Sequence, residues 1–308
     1  MKSTLLATAS LAGLLAASQF AVAAPAPNSG FGQLNLGYGW TDGSKNGNDV
    51  FDDPTTYGGR VQVYLPLSQP VQFQGDLFAQ RSDNVVHGGE SGWTDAGPND
   101  ATTFGAAVHV IHPMENMRVG IVGSVFNTDA FAPEGNGRVD FKYALGALEL
   151  QYYTGPWTLM GQTGLFGALS TDGVEGRVRN GFFFRGGATY YCSPNTAISG
   201  EGLLFFGDDS VGFFNGKMSG GSVMLRGEHR FDNSPFSGFL TVGYENERGS
   251  TGAGSASEDT FTVSGGIRIY WDQDSLETHG RTGASFDTPD LAHPLAVEGI
   301  LQNNTFAP

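Results

Sequence analysis

Apolar and polar residues alternate with period 2 through almost the whole chain, which leaves few folds open. In the stretch from Phe31 to Trp40, the residues Leu34, Leu36, Tyr38 and Trp40 share one face, and Gln33, Asn35, Gly37 and Gly39 share the other. Segment 57–65 sets Val61, Val63 and Leu65 against Arg60, Gln62 and Tyr64. Segment 71–82 sets Val71, Phe73 and Leu77 against Gln72, Gln74, Asp76 and Gln80. The pattern continues at 101–111, 117–127, 139–153, 157–168, 181–192, 197–206, 218–231, 236–245 and 260–271, giving twelve expected strands. Successive side chains of a strand point to opposite faces, so each segment carries one apolar and one polar face. In 139–153 the alternation changes face near Gly146, which reads as a β-bulge.

The connections between these segments alternate in length. Five are short and turn-like, at 66–70, 112–116, 154–156, 193–196 and 232–235. Six are long and glycine-rich, at 41–56, 83–100, 128–138, 169–180, 207–217 and 246–259. Short turns at one rim and long loops at the other, with alternating strands between, mark a transmembrane barrel. In a bilayer every backbone N–H and C=O must be paired, so a β structure has to close on itself. The expected fold is therefore all-β: a closed antiparallel transmembrane β-barrel of about twelve strands in an up-and-down meander. Trp40, Tyr57, Trp157, Tyr190, Tyr244 and Trp271 sit at strand ends in the outward register, where an aromatic girdle belongs.

The N-terminus supplies the export route. Lys2 precedes an apolar run from Leu5 to Ala17, and Ala21-Val22-Ala23 has the small residues of a cleavage site. The run is too short for a spanning helix. The expected organisation is a signal peptide over 1–23, a barrel over 24–271 and a polar acidic periplasmic tail over 272–308. A formal net charge of −15 argues against nucleic acid as a partner, because phosphates need basic contacts. Cys192 is the single cysteine, so no intramolecular disulfide and no thiolate metal cluster can form. The 47 glycines have no collagen period, and with 23 Phe and 10 Tyr they fit sheets and close backbone approaches.

The last strand places Phe261, Val263, Gly265, Ile267, Ile269 and Trp271 on the apolar face. It resembles the C-terminal insertion signal of bacterial outer-membrane β-barrels of porin-like type, in which a terminal aromatic follows alternating apolar residues. The resemblance implies assembly by the outer-membrane insertion machinery, residence in the cell outer membrane among lipid and lipopolysaccharide, extracellular long loops and periplasmic termini. The chain departs from that pattern by running on from Asp272 to Pro308. That extension is expected to be solvated, because it is poor in large apolar residues, and the alternative is a short helix within 290–301 or a plug in the lumen.

Following each strand's direction gives its polar face a depth. Near the long-loop mouth the inward register supplies Phe78, Phe126, Phe166, Phe183 and Phe205, with Arg60 and Arg185. Two readings stand. The rings form an aromatic constriction that binds or filters solutes with the help of the two guanidinium groups, or they pack as a floor beneath inward-folding loops. Nearer the short turns the lumen receives Arg118, Arg226, Glu228, Arg230 and Arg268, with Asp76 and Glu201 near mid-depth, besides Asp140, Lys142 and Glu245. Such charges either set a selective transverse field or brace the wall as ion pairs.

No metal site, cofactor or catalytic group is expected. His109 and His112 lack a third ligand nearby in sequence, and no P-loop, HExxH or nucleophile-elbow motif occurs. Twelve-stranded outer-membrane barrels include solute channels, a phospholipase and autotransporter translocators. The lipase would need Ser and His on the lipid face near the long loops, yet His229 lies beside a short turn and His109 points inward. A translocator would need a passenger ahead of the barrel, where only Ala24 to Gly30 stands. The expected function is a passive pore or small-solute channel, narrow or loop-gated. The alternative is a structural or surface-interaction barrel whose acidic loops bind cations, lipopolysaccharide or a partner.

Overall fold

A computed structural model describes residues 31–45, 48–49, 55–68, 71–83, 100–132, 137–171, 177–211, 214–251, 254–271, 275–289 and 291. The expected signal peptide lies outside the described residues. The strands follow one another as β1 (Phe31–Lys45), β2 (Asn48–Asp49), β3 (Thr55–Ser68), β4 (Val71–Asp83), β5 (Asp100–Pro113), β6 (Met117–Ala132) and β7 (Gly137–Thr154). They continue as β8 (Trp157–Thr171), β9 (Arg177–Ser193), β10 (Thr196–Val211), β11 (Phe214–Arg230), β12 (Phe236–Thr251) and β13 (Gly254–Trp271). Leaving aside the two-residue β2, which pairs only with β1, twelve antiparallel strands each bond to their sequence neighbours. The meander closes where β1 pairs β13, from Gly32 opposite Trp271 to Lys45 opposite Glu258. Closure leaves no free edge, which is what a bilayer demands of a sheet.

The alternation sorts side chains as expected. Leu77, Leu148, Val223 and Leu240 point outward, each 60–63% exposed on the band that meets lipid, whereas Gln62, Gln74, Asp76 and His109 on the other face are buried. Tyr57, Trp157, Tyr190, Tyr244 and Trp271 of the expected girdle are exposed on the outer face, with Trp157 against Tyr190 at 4.8 Å between ring centroids. The side chain of Trp40 lies outside the described residues. Exposed Phe261 and Ile267 on β13 share the outward face with Val263 and Ile269, so the residues of the expected insertion signal point outward.

Three expectations need correction. No face change occurs at Gly146. The side chains of β7 alternate from Phe141 to Gln151, with Phe141, Tyr143, Leu145, Ala147, Glu149 and Gln151 buried inside and Lys142 exposed outside, and the irregularity in its pairing with β8 falls at Lys142/Tyr143 instead. The apolar inward residues looked lipid-facing because a polar lumen was assumed at every depth. Four of the long connections, 128–138, 169–180, 207–217 and 246–259, are more than half strand. The β10–β11 hairpin pairs up to Val211 with Phe214, and the β12–β13 hairpin up to Thr251 with Gly254. With 13 to 18 residues per strand, against the roughly 9–11 that cross a bilayer, these hairpins extend beyond it.

The third correction concerns the tail. Residues 275–289 and 291 are not a solvated extension: they form the helix α1 (Leu276–Thr282) and an extended run inside the lumen, with Leu291 in its largest apolar cluster. The rest of the expected tail, 272–274, 290 and 292–308, lies outside the described residues. Ser275 caps α1 by accepting from the Thr278 N–H at 3.1 Å. The helix sits at the short-turn rim, where the Glu277 N–H donates to the Pro194 carbonyl and Arg281 lies over the Tyr191 ring.

Candidate functional site: the occupied lumen

The lumen is organised around the tail. Extended backbone has carbonyls that helix or sheet would pair, and in a barrel interior the wall must satisfy them. Arg118 Nη1 donates to Gly283 O at 3.0 Å, Gln151 Nε2 to Ser285 O at 3.0 Å, and Gln62 Nε2 to Phe286 O at 3.0 Å. Gln162 Nε2 and Arg185 Nη1 converge on Asp287 O at 3.0 and 2.7 Å. Gln74 also donates to Phe286 O, and Arg60 reaches Thr288 O. Donors from β3, β4, β6, β7, β8 and β9 thus grip one short run of backbone.

Side chains of the tail fill three layers. Leu276 packs with Tyr191, Ala197 and Tyr270 at the short-turn rim. Ala284 and Phe286 pack with Tyr64 and Ile111 higher up. Leu291 closes the series inside the largest cluster, with Phe126, Phe141, Phe166, Phe183 and Phe205. His279 is buried against Tyr270, with ring centroids 4.6 Å apart, and its Nε2 donates to Ala284 O at 3.2 Å. Burial, then the charge of Arg268, pushes the His279 imidazole down to about 3.

The five mouth phenylalanines come together as the sequence grouped them. Phe126, Phe166, Phe183 and Phe205 are buried in one cluster and Phe78 packs against it. Three of these rings lie flat across a glycine of the next strand, since a Cβ on Gly105, Gly181 or Gly220 would overlap Phe78, Phe166 or Phe205. The rings lie against the wall and pack with Leu291 of the tail.

The charged residues also meet inside the barrel. Arg185 pairs with Glu201 (Nη2 to Oε2, 2.6 Å), and Arg268 with Glu228 (2.8 Å), whose other oxygen accepts from Ser237 and Tyr270 at 2.6 Å each. Arg230 donates to Ser234 O and lies over the Tyr270 ring. Asp76 accepts from Gln74 at 2.8 Å and from Thr288 at 2.8 Å. His109, 3.4 Å from Asp76 and 3.0 Å from Glu149, has both ring nitrogens occupied, so neither faces an open ligand position. Sequence reasoning missed Glu149 and the glutamines as a functional set. Glu149 and Gln151 alternate with outward Leu148, Leu150 and Tyr152, which was signal enough for their direction. Nothing in the sequence told what they would bind.

The tail does not fill the barrel. A cavity of about 410 Å³ remains beside it, walled by β1, β3, β4 and β9–β13, and reaching Tyr38, Phe78, Arg226, Phe239, Tyr244 and Asp287. A second of about 140 Å³ lies toward α1, beside Tyr191, Tyr270 and His279. Both have Glu201, Met224, Arg226, Arg268 and Asp287 in their walls.

Against solved structures, the chain is similar to an outer-membrane channel of Pseudomonas putida F1, with a TM-score of 0.53 at 12% identity, over 81% of this chain and 97% of that one. The fold is that of a bacterial outer-membrane β-barrel. The toluene transporter TodX of the same species aligns over 80% of this chain and 90% of its own, at 10% identity and a TM-score of 0.44. No protein-family model and no curated protein matches the sequence. At these identities the likeness covers the barrel architecture alone.

Proposed function

We propose that this outer-membrane barrel is a channel for small solutes, narrowed by its own C-terminal segment. The observation that carries the reading is the open space beside the tail. The two cavities share wall residues and together run from α1 toward the long-loop mouth, along the side of the lumen that the tail leaves free. Twelve strands place the barrel between eight-stranded barrels filled by side chains and sixteen-stranded porins with open water columns. In this reading short turns and termini face the periplasm, the long hairpins face outward, and the aromatic last strand engages the insertion machinery.

Planar-bilayer conductance tests it. The full chain is expected to conduct in small steps, and a chain ending at Trp271 in larger ones. Losing the tail exposes Gln62, Gln74, Arg118 and Arg185, but water entering the lumen takes over their bonds, so the shortened barrel should still fold and show heat-modifiable gel mobility. A folded, truncated barrel that stays silent would overturn the channel reading in favour of a structural one.

A further inference from the structure

The wall of the open cavity holds four arginines beside the carboxylates of Glu201, Glu245 and Asp287, and one of those arginines stands outside the ion pairs. Arg60, Arg185, Arg226 and Arg268 all border it. Arg185 is paired with Glu201 and Arg268 with Glu228. Arg226 donates to the Thr241 hydroxyl at 3.2 Å and stands 5.4 Å over the Phe239 ring, with no carboxylate within ion-pair distance among the described residues. Asp287, which also borders the cavity, belongs to the tail and not to the wall. Its contacts are long, 3.3 Å to Arg60 Nη1 and 3.4 Å to Gln62 Nε2, and its side chain is 35% exposed. Burial alone would raise the Asp287 carboxyl, but Arg60, Arg185, Arg226 and Arg268 hold it well below the usual carboxylate range.

We propose that the space between Arg226, Arg268 and Asp287 is a binding site for a small organic carboxylate, and that the tail's Asp287 carboxylate stands in part of the place the ligand's would take. It deepens the channel reading, on which its meaning for transport rests. A guanidinium offers several N–H donors in a plane and suits a carboxylate. Apolar side chains stand among the hydroxyl and carboxylate groups of the rest of the wall. Phe239 lies under both Arg226 and Arg268, at 5.4 and 5.7 Å, and Phe78, Leu203 and Met224 also line the cavity. That arrangement accepts a flat apolar body with one anionic end. At about 410 Å³ the space lies toward the lower end of ligand pockets, which run roughly 300–1,000 Å³.

The test is calorimetric titration of the full-length folded protein in detergent with benzoate and, separately, with benzamide, its neutral near-isostere. Benzoate is expected to bind at least tenfold more tightly than benzamide. Arg226→Gln should weaken benzoate at least tenfold, and Asp287→Asn should tighten it several-fold by removing the competing charge. Benzamide binding as well as benzoate would overturn the site, a result that needs no variant to fold. So would Asp287→Asn leaving affinity unchanged or weakening it. Because titration reads no current, benzoate binding by a protein silent in bilayers would remove the channel and keep the site. Conduction without benzoate binding would do the reverse.

Discussion

Phe205 lies flat against Gly220 of the neighbouring strand, and the arrangement depends on the missing Cβ. Alternating an aromatic with a bare backbone lets a ring cross the wall without narrowing the lumen further, and Phe78 over Gly105 and Phe166 over Gly181 repeat it. A methyl group at such a point must move either the ring or the strand. Gly220→Ala is expected to lower barrel stability by roughly 1–3 kcal/mol, the usual cost of overpacking. Gly227→Ala, on the same strand with nothing within 4 Å of its would-be Cβ, should cost far less. Urea midpoints of the two refolded variants check the contrast, and equal midpoints would show that the rings are not held by the glycines.

At the scale of the element, the tail is the part that can move without breaking a strand. Its docking should weaken in acid. The docked His279 binds its proton only near pH 3, whereas a released, solvated histidine does so near 6.5, so the docked form carries fewer protons. The contribution is fully present above about 6.5 and is lost as pH falls from there toward 3, by up to about 1.4 kcal/mol per unit. Asp287, also held below its ordinary range, acts in the same direction only below the usual carboxylate pKa. Limited proteolysis of the folded protein should therefore cut the tail faster at pH 5 than at pH 7.5. His279→Gln should flatten that difference. A cleavage rate independent of pH in the parent protein would remove His279 as the cause.

For the whole molecule, what matters is which face of the cylinder meets lipid. On β11, Leu225 points outward and is exposed, whereas Ser222 faces the open cavity. An arginine on the lipid face near mid-depth costs about 2–4 kcal/mol, and one in a wet lumen keeps its hydration. Leu225→Arg is expected to insert poorly or unfold early, and Ser222→Arg to fold normally while reducing conductance. Folding yield by heat-modifiable mobility in lipid vesicles measures both. Equal tolerance would mean that the cylinder is inside out relative to this description.

The sequence by itself determined the barrel. Alternation such as Val61, Val63 and Leu65 against Arg60, Gln62 and Tyr64 has one stable solution in a bilayer, because a strand pair cannot leave polar backbone in hydrocarbon. The inward direction of the arginines and of the mouth phenylalanines followed from the same period, since a one-residue change of register would turn every side chain over. Only the tertiary structure decided what occupies the lumen. The tail is poor in large apolar residues, and a polar lumen and bulk water offer such a segment similar company, so hydrophobicity could not tell them apart. The purpose of Gln62, Gln74, Gln151 and Gln162 was hidden for the same reason. An inward glutamine looks alike whether it binds water or a carbonyl at 3.0 Å, and the carbonyls lie more than a hundred residues away in the chain. The face of β7 was misjudged because Phe141, Tyr143 and Leu145 are apolar on the inside. Leu291 and the mouth rings give them an apolar layer to pack in, which exists only once the chain has folded back into its own barrel.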